Sequence, residues 1–475
     1  MGRNYTLHTI MNITFWGAAR TVTGSQHLLA VGRKKVLLDC GFYQGRRADA
    51  YAINRSLPFE AAHIDAMILS HAHIDHCGNV PNLVKSGFDG QIFCTHATRD
   101  LAATMLRDSG AIQEEDAYFL NKRRRGQQEM VEPIYGVKDA ERAMGHFTSI
   151  DYGRGMDVAP GVRAVFQDAG HMLGSAFESI ELAEDGRNVR LCFSGDLGRK
   201  GMPILCDPEL MPEADYLILE STYGGRKHPP ITSVDDELLD AIGTVVKRGG
   251  KVVIPAFAVG RTQELVYRLN VLMNDGRLPS VPVFVDSPLA VNVTEAFRTH
   301  FECYDEEMRA EMRNDPDGSA FGFKRLTYVR TVEESKSING MPGPAVIISA
   351  SGMCENGRVL HHLRNTISDA RNMILFVSFQ GPHTLGSRIV EGQQWVRILG
   401  EEFEVHAEVR RIEAFSGHAD HDDLLRWVAP RASMLRKVFL VHGEPEGQDA
   451  LAEGLRGIGV REVVCPQRGE SHELV

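Results

Sequence analysis

The feature that most constrains the fold is a run of metal-ligand residues directly behind a short apolar stretch. Residues 66–69 are apolar, and residues 70–78 read Ser-His-Ala-His-Ile-Asp-His-Cys-Gly. A short apolar run indicates a buried strand, and imidazole and carboxylate together suit zinc and its first-row neighbours. The pattern His-x-His-x-Asp-His can divide into two pairs of ligands, each facing a different ion. A polar loop that merely contains histidines is the weaker interpretation, so we predict a metal site behind a buried strand.

Composition is that of an ordinary globular protein with more than one domain. The chain has 475 residues, of which 43% are hydrophobic and 24% charged, and length alone predicts about two or three domains. No apolar run approaches the ~18 residues of a membrane span, so no membrane contact is expected. The eight cysteines never form Cys-x-x-Cys, which favours a reducing cytoplasm over a disulfide framework or a thiolate zinc site. The net charge of -11 argues mildly against a broad basic face for nucleic acid but allows a local cationic groove.

Short β-rich runs alternate with helical segments along the chain, and this alternation predicts an α/β fold. Examples of predicted strands are residues 216–220, 345–349 and 437–442, whereas segment 99–149 is predicted to be helical. Several of the strands end in a polar residue followed by Gly or Ser, which places functional groups at strand ends. The character of the sequence changes at Gly224, and a compact α/β unit is expected from there to about Val405.

Four further residues would complete a two-metal centre if the fold brings them together. They are Asp39, His171, Asp196 and His442, each beside a Gly or in a Gly-rich turn. Alone, each is typical of an ordinary turn, because Asp-Gly neighbourhoods are common turn signals. Their order and spacing relative to residues 71–76 make a coincidence improbable.

This series of motifs resembles the metallo-β-lactamase superfamily, in which Asp, His-x-His-x-Asp-His, His and Asp follow in the same order. The resemblance implies two Zn²⁺ ions per chain and a hydroxide held between them near neutral pH. The first ion would take His71, His73 and His171, and the second Asp75 and His76. Asp196 would bridge both ions, with Asp39 orienting a ligand from behind and His442 as an additional ligand of the second ion.

Three later motifs narrow the resemblance to the β-CASP nucleases. Residues 217–224, 415–420 and 440–444 are similar to motifs A, B and C of that family, with Glu220, His418 and His442 as their central residues. Residues 254–264 and 349–353 are similar to its cap domain. The resemblance implies an α/β fold, namely an αββα sandwich with an inserted β-CASP α/β cap. The expected domains are 11–223 (first part of the sandwich), 224–405 (cap) and 406–475 (second part).

The function implied by this resemblance is zinc-dependent hydrolysis of single-stranded RNA in processing or decay, by an endonuclease. His418 would be the general acid or a phosphate clamp, and Glu220 would hold its ring in the required tautomer. His442 favours RNA, because DNA-repair members of the family usually carry valine at motif C. A DNA nuclease, a carbonyl-directed hydrolase of the lactonase or thioesterase type, and an inactive partner subunit are the alternatives.

The resemblance also suggests contacts with substrate and with a second copy. Residues expected to bind RNA are Arg261, Ser351, Arg388 and Ser416, and Arg226, Lys227 and Arg358 would also line the groove. A homodimer is expected by resemblance only. Residues 382–383 are Pro-His where relatives carry Glu-Gly, and their effect is left open. Residues 122–125, Lys-Arg-Arg-Arg, are either a solvated helix face or a phosphate-contacting patch.

Overall fold

The structure is a computed structural model that describes residues 11–45, 47–123, 130–314, 320–381 and 383–475. The chain divides into two compact units. The first takes residues up to Lys200, then Asp207–Lys227 and His418–Val475, and the second takes Gly201–Cys206 and His228–Gly417. Strands and helices alternate in both units, which confirms the predicted α/β class. The predicted limits at 223/224 and 405/406 lie ahead of the observed changes at 227/228 and 417/418.

The first sheet of the first unit has seven strands in the described residues. They are β1 (Asn12–Phe15), β2 (His27–Val31), β3 (Lys34–Leu38), β4 (Ala66–Ile68), β5 (Gln91–Cys94), β6 (Phe147–Ser149) and β22 (Glu470–Glu473). Their order is β22-β1-β2-β3-β4-β5-β6. β3, β4, β5 and β6 pair in parallel, so their carboxyl ends meet at one edge of the sheet. The predicted metal-ligand segment follows β4 at that edge.

The second sheet also has seven strands in the described part of the chain. They are β7 (Gly155–Ala159), β8 (Val162–Asp168), β9 (Ala176–Glu184), β10 (Arg187–Phe193), β11 (Tyr216–Glu220), β20 (Lys437–Val441) and β21 (Val463–Val464), in the order β21-β20-β11-β10-β9-β8-β7. β11 pairs in parallel with β10 and β20. Glu220 of β11 pairs with Val441 of β20, so the residues that follow β10, β11 and β20 lie side by side.

The two sheets enclose a common apolar core. Phe15 from the first sheet and Phe166, Phe193 and Phe439 from the second are buried in it. Truncating such a side chain to alanine typically costs about 3–5 kcal/mol, so this core holds the strand ends in place.

The helices of the first unit are α1 (Arg47–Arg55), α2 (Ile74–Cys77), α3 (Val80–Lys85), α4 (His96–Arg123), α5 (Val137–Ala143), α13 (His421–Val428) and α14 (Pro445–Gly457). A second apolar cluster joins α13 and α14 to the outer face of the second sheet, through residues such as Trp427, Leu451 and Leu217. No helix in the described ranges is both long enough and apolar enough to cross a membrane.

In the described residues, the second unit is built on a six-stranded parallel sheet. Its strands are β12 (Lys251–Pro255), β13 (Val283–Val285), β14 (Leu326–Tyr328), β15 (Ala345–Ser349), β16 (Met373–Phe376) and β19 (Glu408–Arg411), in the order β14-β13-β15-β12-β16-β19. β17 (Trp395–Ile398) and β18 (Glu401–Glu404) form a separate antiparallel pair. Its helices are α6 (Val234–Arg248), α7 (Arg261–Asn274), α8 (Pro288–Thr299), α9 (Glu306–Asn314), α10 (Val332–Gly340), α11 (Val359–Thr366) and α12 (Leu385–Val390). Every residue of β15 is buried, as expected for a parallel strand covered on both faces.

A buried carboxylate after β13 ties several elements of the second unit together. Asp286 is 0% exposed and accepts hydrogen bonds from the Ser335 hydroxyl (2.5 Å), Arg358 Nη1 (2.6 Å) and His362 Nε2 (2.6 Å). Arg358 also donates to the carbonyl oxygen of Arg330 (2.8 Å). The guanidinium of Arg358, expected to line an RNA groove, is therefore engaged in this network.

Candidate metal centre

The candidate metal centre lies where the strands of the two sheets end in the first unit. All of the sequence-predicted residues of the centre except His418 follow or close one of these strands. The predicted residues are Asp39 after β3, His71, His73, Asp75 and His76 after β4, His171 before β9, Asp196 after β10, Glu220 at the end of β11, His418 before α13, and His442 after β20. Parallel pairing brings these ends to one place because neighbouring parallel strands share an edge.

The first group of ligand atoms comprises His71, His73, His171 and Asp196, all within 4.8 Å of one another. His73 Nδ1 lies 3.1 Å from His71 Nε2 and 3.2 Å from His171 Nε2. Burial lowers the pKa of His71 well below its usual value and that of His73 to about 4. Neutral imidazoles present lone pairs, which metal ligation requires.

The second group comprises Asp75, His76 and His442. His442 Nε2 lies 3.1 Å from His76 Nε2 and 3.3 Å from Asp75 Oδ2. The backbone of His442 has φ 52°, a left-handed conformation that is unfavourable for a residue with a side chain. Its amide is fixed by a hydrogen bond to the Ala18 carbonyl (2.7 Å), so surrounding structure holds the imidazole against the other two side chains.

Asp196 lies between the two groups, and each of its carboxylate oxygens faces one of them. Oδ2 is 3.5 Å from His71 Nε2 and 3.6 Å from His171 Nε2. Oδ1 is 3.4 Å from His76 Nε2 and 3.6 Å from His442 Nδ1, at ion-pair distance but with no hydrogen bond. A buried carboxylate oxygen without a hydrogen bond is costly unless a cation compensates it. The donor set therefore fits metal ions on both sides of Asp196.

Asp39 supports the second group from behind. It is fully buried, has φ 57°, and its Oδ2 lies 2.7 Å from His76 Nδ1. Ser70 donates from its amide to Oδ1 (2.9 Å) and from its hydroxyl to Oδ2 (3.0 Å), and the Ser25 hydroxyl donates to Oδ2 (3.2 Å). Because Asp39 accepts a hydrogen bond from the Nδ1–H of His76, the His76 Nε2 lone pair is directed toward Asp196 and His442.

Three hydroxyl side chains around the centre were not predicted from the sequence. Ser25 and Ser70 bind Asp39, and the Thr222 hydroxyl lies 3.0 Å from His442 Nδ1. Ser70 directly precedes the histidine motif and Thr222 lies two residues after Glu220, so proximity to a motif was an available signal. Ser25 has no ligand pattern near it in the sequence.

Glu220 and His418 form a pair beside the first group. His418 Nδ1 is 3.2 Å from Glu220 Oε1 and 3.9 Å from Asp196 Oδ2. Glu220 is 0% exposed and is fixed by amide hydrogen bonds from Leu197 (2.9 Å) and Thr222 (3.1 Å). Burial alone would lower the pKa of His418, but the charge and hydrogen bond of Glu220 outweigh it and raise the pKa to about 9. His418 is therefore suited to carry a proton at neutral pH.

Cys77, next to the ligand segment, is a packing residue. Its side chain is fully buried, and the thiol donates to the carbonyl oxygen of Ala72 (3.2 Å). Burial raises the pKa of the thiol well above its usual value, so the thiolate needed for metal binding is disfavoured.

The residues expected to bind RNA all lie in the second unit. The Arg261 guanidinium carbon lies 5.1 Å from the centre of the Phe415 ring, and Arg261 pairs with Glu264. Ser416 is the next residue in the chain after Phe415. The Ser351 hydroxyl accepts a hydrogen bond from the Glu355 amide (3.4 Å). Arg388 lines a separate cavity of about 290 Å³; the other lining residues are His383, Ser387, Glu391 and Gln393.

Two sequence features whose roles were left open, residues 382–383 and 122–125, lie partly outside the described residues. His383 has φ 68°, a left-handed conformation that glycine adopts more readily than residues with a side chain, whereas Pro382 is not described. Of the run 122–125, Arg124 and Arg125 are not described.

Fold and site together define a metal-dependent hydrolase. Three family models match the chain: the metallo-beta-lactamase superfamily over residues 20–256, the Beta-Casp domain over 262–389, and a Zn-dependent metallo-hydrolase RNA specificity domain over 402–466. The chain belongs to the β-CASP family of the metallo-β-lactamase superfamily, and the predicted family is confirmed.

Similar proteins cover the chain over almost its whole length. A ribonuclease of Thermus thermophilus is 38% identical over 464 residues, 97% of this chain and 99% of that protein. The transcription termination factor FttA of Methanocaldococcus jannaschii is 30% identical over 96% of this chain and 70% of its own length. A crystal structure of a protein of unknown function from Enterococcus faecalis V583 superposes with a TM-score of 0.55 at 12% identity, covering 98% of this chain and all of that one. The last similarity concerns the fold alone.

Proposed function

We propose that this chain is a zinc-dependent ribonuclease that cleaves phosphodiester bonds within single-stranded RNA. The observation that carries the proposal is the arrangement around Asp196, whose two oxygens face two different histidine groups beside the Glu220–His418 pair. Two cation sites on either side of one carboxylate suit a reaction that builds negative charge on phosphoryl oxygens.

Two Zn²⁺ ions would be held by the two ligand groups. His71, His73 and His171 would hold one ion, Asp75, His76 and His442 the other, and Asp196 would contact both. When bound, the ions supply Lewis-acid stabilisation of the phosphoryl group and a water-derived nucleophile at neutral pH. Asp39 keeps His76 in the tautomer that ligation needs, and Thr222 positions His442 through Nδ1.

His418 would give a proton to the departing oxygen. Water would release a proton to solvent as its oxygen forms a bond to phosphorus, the bond between phosphorus and the 3′ oxygen would break, and the 3′ oxygen would take the proton of His418, which solvent then restores. Glu220 engages Nδ1 of His418, so the proton would be delivered from Nε2. The products are a 5′-phosphate and a 3′-hydroxyl.

RNA is favoured over other substrates by the relatives and by His442. The Thermus thermophilus relative is a ribonuclease, and residues 402–466 match a model described as an RNA specificity domain. His442 lies among the candidate ligand atoms, and a histidine at motif C resembles the RNA-processing members of the family. Arg261, Ser351, Arg388 and Ser416 are the proposed contacts with the RNA strand, since guanidinium and hydroxyl groups bind phosphate oxygens.

The test uses matched RNA and DNA strands of one sequence, labelled at either end, and the zinc-loaded protein. The proposal predicts internal cleavage of the RNA strand, with 5′-phosphate and 3′-hydroxyl ends. Cleavage of the DNA strand alone would make the chain a DNA nuclease. Cleavage of neither strand, together with turnover of lactone or thioester substrates, would make it a carbonyl-directed hydrolase.

A further inference from the structure

Two cysteines face each other where the connection between β10 and β11 pairs with the chain after α8. Leu205 and Tyr304 form an isolated antiparallel bridge, so Cys206 and Cys303 are opposed in the same register. The Cys206 amide donates to the Cys303 carbonyl oxygen (3.4 Å), and the Cys206 thiol donates to the carbonyl oxygen of Tyr304 (3.3 Å). The Cys206 sulfur therefore lies beside the backbone that carries Cys303.

The spacing of opposed residues in such a pair is within the reach of a disulfide bond. Directly opposed residues joined by a backbone hydrogen bond have Cα atoms about 5.5 Å apart, and disulfides join Cα atoms about 4.4–6.8 Å apart. Opposed Cβ atoms lie about 4.5–5.5 Å apart, against about 3.5–4.5 Å across a disulfide, so the side chains must approach by about 1 Å. Because the bridge is isolated and the hydrogen bond at Cys206 is long, a shift of that size disrupts no regular sheet.

The two thiols differ in exposure as a two-step thiol oxidation requires. Cys206 is partly exposed, so a small reagent in solution reaches its sulfur, whereas Cys303 is 2% exposed and shielded. Cys465 is the other partly exposed cysteine, and it lies in the first unit. Cys206 is therefore the thiol of the pair that a reagent meets first, and Cys303 is the thiol that completes the bond.

We propose that Cys206 and Cys303 are a redox modification site that forms a reversible disulfide. The oxidant is a low-molecular-weight disulfide such as oxidised glutathione. The Cys206 thiol loses its proton, its sulfur bonds to one sulfur of the reagent, and the sulfur–sulfur bond of the reagent breaks. The Cys303 thiol then loses its proton, and its sulfur displaces the remaining half of the reagent from Cys206. The two cysteines give up two electrons, which reduce the reagent to two thiols that take up both protons.

A reducing compartment, which the cysteine usage predicts, keeps this pair as thiols under ordinary conditions. Disulfides of cytosolic proteins are rare, and those that occur are usually transient or redox-sensing. The bond forms when oxidised glutathione rises, and reduced glutathione reverses it.

The bond attaches a connection of the first unit to the second unit. Segment Gly201–Cys206 belongs to the second unit, whereas Lys200 before it and Asp207 after it belong to the first. Ile204 is buried, and its carbonyl oxygen accepts a hydrogen bond from the Asp305 amide (3.0 Å). These contacts are non-covalent, whereas the disulfide closes a covalent loop that contains the whole of β11. The inference stands apart from the proposed catalytic function, because neither cysteine belongs to the metal centre.

The experiment equilibrates the native, metal-loaded full chain with mixtures of reduced and oxidised glutathione. Remaining thiols are then alkylated, and linked peptides are mapped by mass spectrometry without reduction. The proposal predicts a linked peptide that joins Cys206 to Cys303 and disappears in excess reduced glutathione. Cys303→Ser should instead accumulate glutathione on Cys206, and Cys206→Ser should show neither product. Cys465→Ser, the matched partly exposed control, should keep the linked peptide.

The midpoint of urea unfolding tests whether the bond attaches the connection. Closing a long loop restricts the unfolded chain, so the oxidised parent should unfold at a higher urea concentration than the reduced parent. Cys206→Ser replaces a partly exposed thiol and should fold normally, so it should give one midpoint with and without oxidised glutathione.

Three mapping results would overturn the proposal. The first is absence of the linked peptide at every glutathione ratio, and the second is a bond that forms only after urea has unfolded the chain. The third is linkage of Cys206 to a cysteine other than Cys303. An oxidised parent whose urea midpoint equals that of the reduced parent would contradict the attachment.

Discussion

At the scale of single residues, the centre depends on side chains held in unfavourable conformations by their partners. Asp39 and His442 both have positive φ. The hydrogen bond between Asp39 and His76 Nδ1 leaves His76 Nε2 directed at the ligand cluster. The hydrogen bond between Thr222 and His442 Nδ1 does the same for His442 Nε2. Backbone strain of this kind typically costs about 1–3 kcal/mol per residue and persists where the surroundings over-determine it. These strained conformations place the candidate ligand atoms within reach of one another.

Replacing His418 tests the proton-transfer role. His418→Ala should lower the rate of RNA cleavage by about 10²-fold or more while zinc content stays unchanged, since His418 contributes a proton and not a metal bond in this account. Glu220→Gln keeps one carbonyl oxygen that can accept from His418 Nδ1 but removes the charge that raises the pKa of His418, so the cleavage rate should fall less than in His418→Ala. His63→Ala removes an exposed histidine paired with Glu60 and is the matched control, with no change expected. Cleavage by His418→Ala at the parent rate would contradict the role.

The sequence predicted the candidate ligands but not all of the residues that hold them in place. Histidine and carboxylate motifs are specific because few other chemistries need them at that spacing, and the structure brings all of those residues together. The hydroxyls of Ser25 and Thr222 could not be predicted in this way, because serine and threonine serve turns and caps everywhere. The hydrogen bond between Arg358 and Asp286 was not predicted for a similar reason, because a guanidinium suits a groove and a buried carboxylate equally well.

At the scale of elements, strands with apolar runs were predictable and polar or short ones were not. The run 437–442 corresponds to β20, and 345–349 is β15. β19 at the edge of the cap sheet is Glu-Val-Arg-Arg, and it forms because β16 pairs with it, not because of its own apolar pattern. Segment 99–149, predicted to be helical, contains α4 and α5 but ends in β6, which pairs with β5. Long-range pairing of this kind is not encoded locally.

Asp286 is predicted to be a stability determinant of the second unit. Burial alone would raise the pKa of its carboxyl, but hydrogen bonds from His362, Ser335 and Arg358 outweigh it and lower the pKa. Breaking a buried charged network typically costs about 3–5 kcal/mol, so Asp286→Asn should destabilise this unit by a similar amount at pH 7. Hydrogen exchange of β13 and β15 amides measures the change.

The stability that Asp286 contributes depends on pH in a definite direction. Because the folded-state pKa of Asp286 is depressed, its stabilisation is fully present above the unfolded-state value of about 3.9 and is lost as pH falls through the folded value. The difference between the parent protein and Asp286→Asn should therefore shrink in acid. Asp369→Asn removes an exposed carboxylate paired with Arg371 and should cost under about 1 kcal/mol. Equal effects of the two substitutions would contradict the network.

At the scale of the whole molecule, one centre is assembled from segments far apart in the sequence. Pairing of β11 with β20 brings His442 beside residues from the first 200 positions, and His418 arrives where the chain returns to the first unit. The family resemblance made this assembly predictable, whereas composition did not, because a net charge of -11 gives no hint of the proposed phosphate-binding site. Under the proposed function, cations held by buried carboxylates would reconcile an acidic chain with an anionic substrate.

The most direct measurement of the central claim is the rate of RNA cleavage against the number of zinc ions bound per chain. Apoprotein is titrated with zinc, and bound metal and the initial cleavage rate of an end-labelled single-stranded RNA are determined at each step. The account predicts little cleavage up to one ion per chain, a rise between one and two, and saturation at two. Full activity at one ion per chain, or no RNA cleavage with two bound, would contradict it.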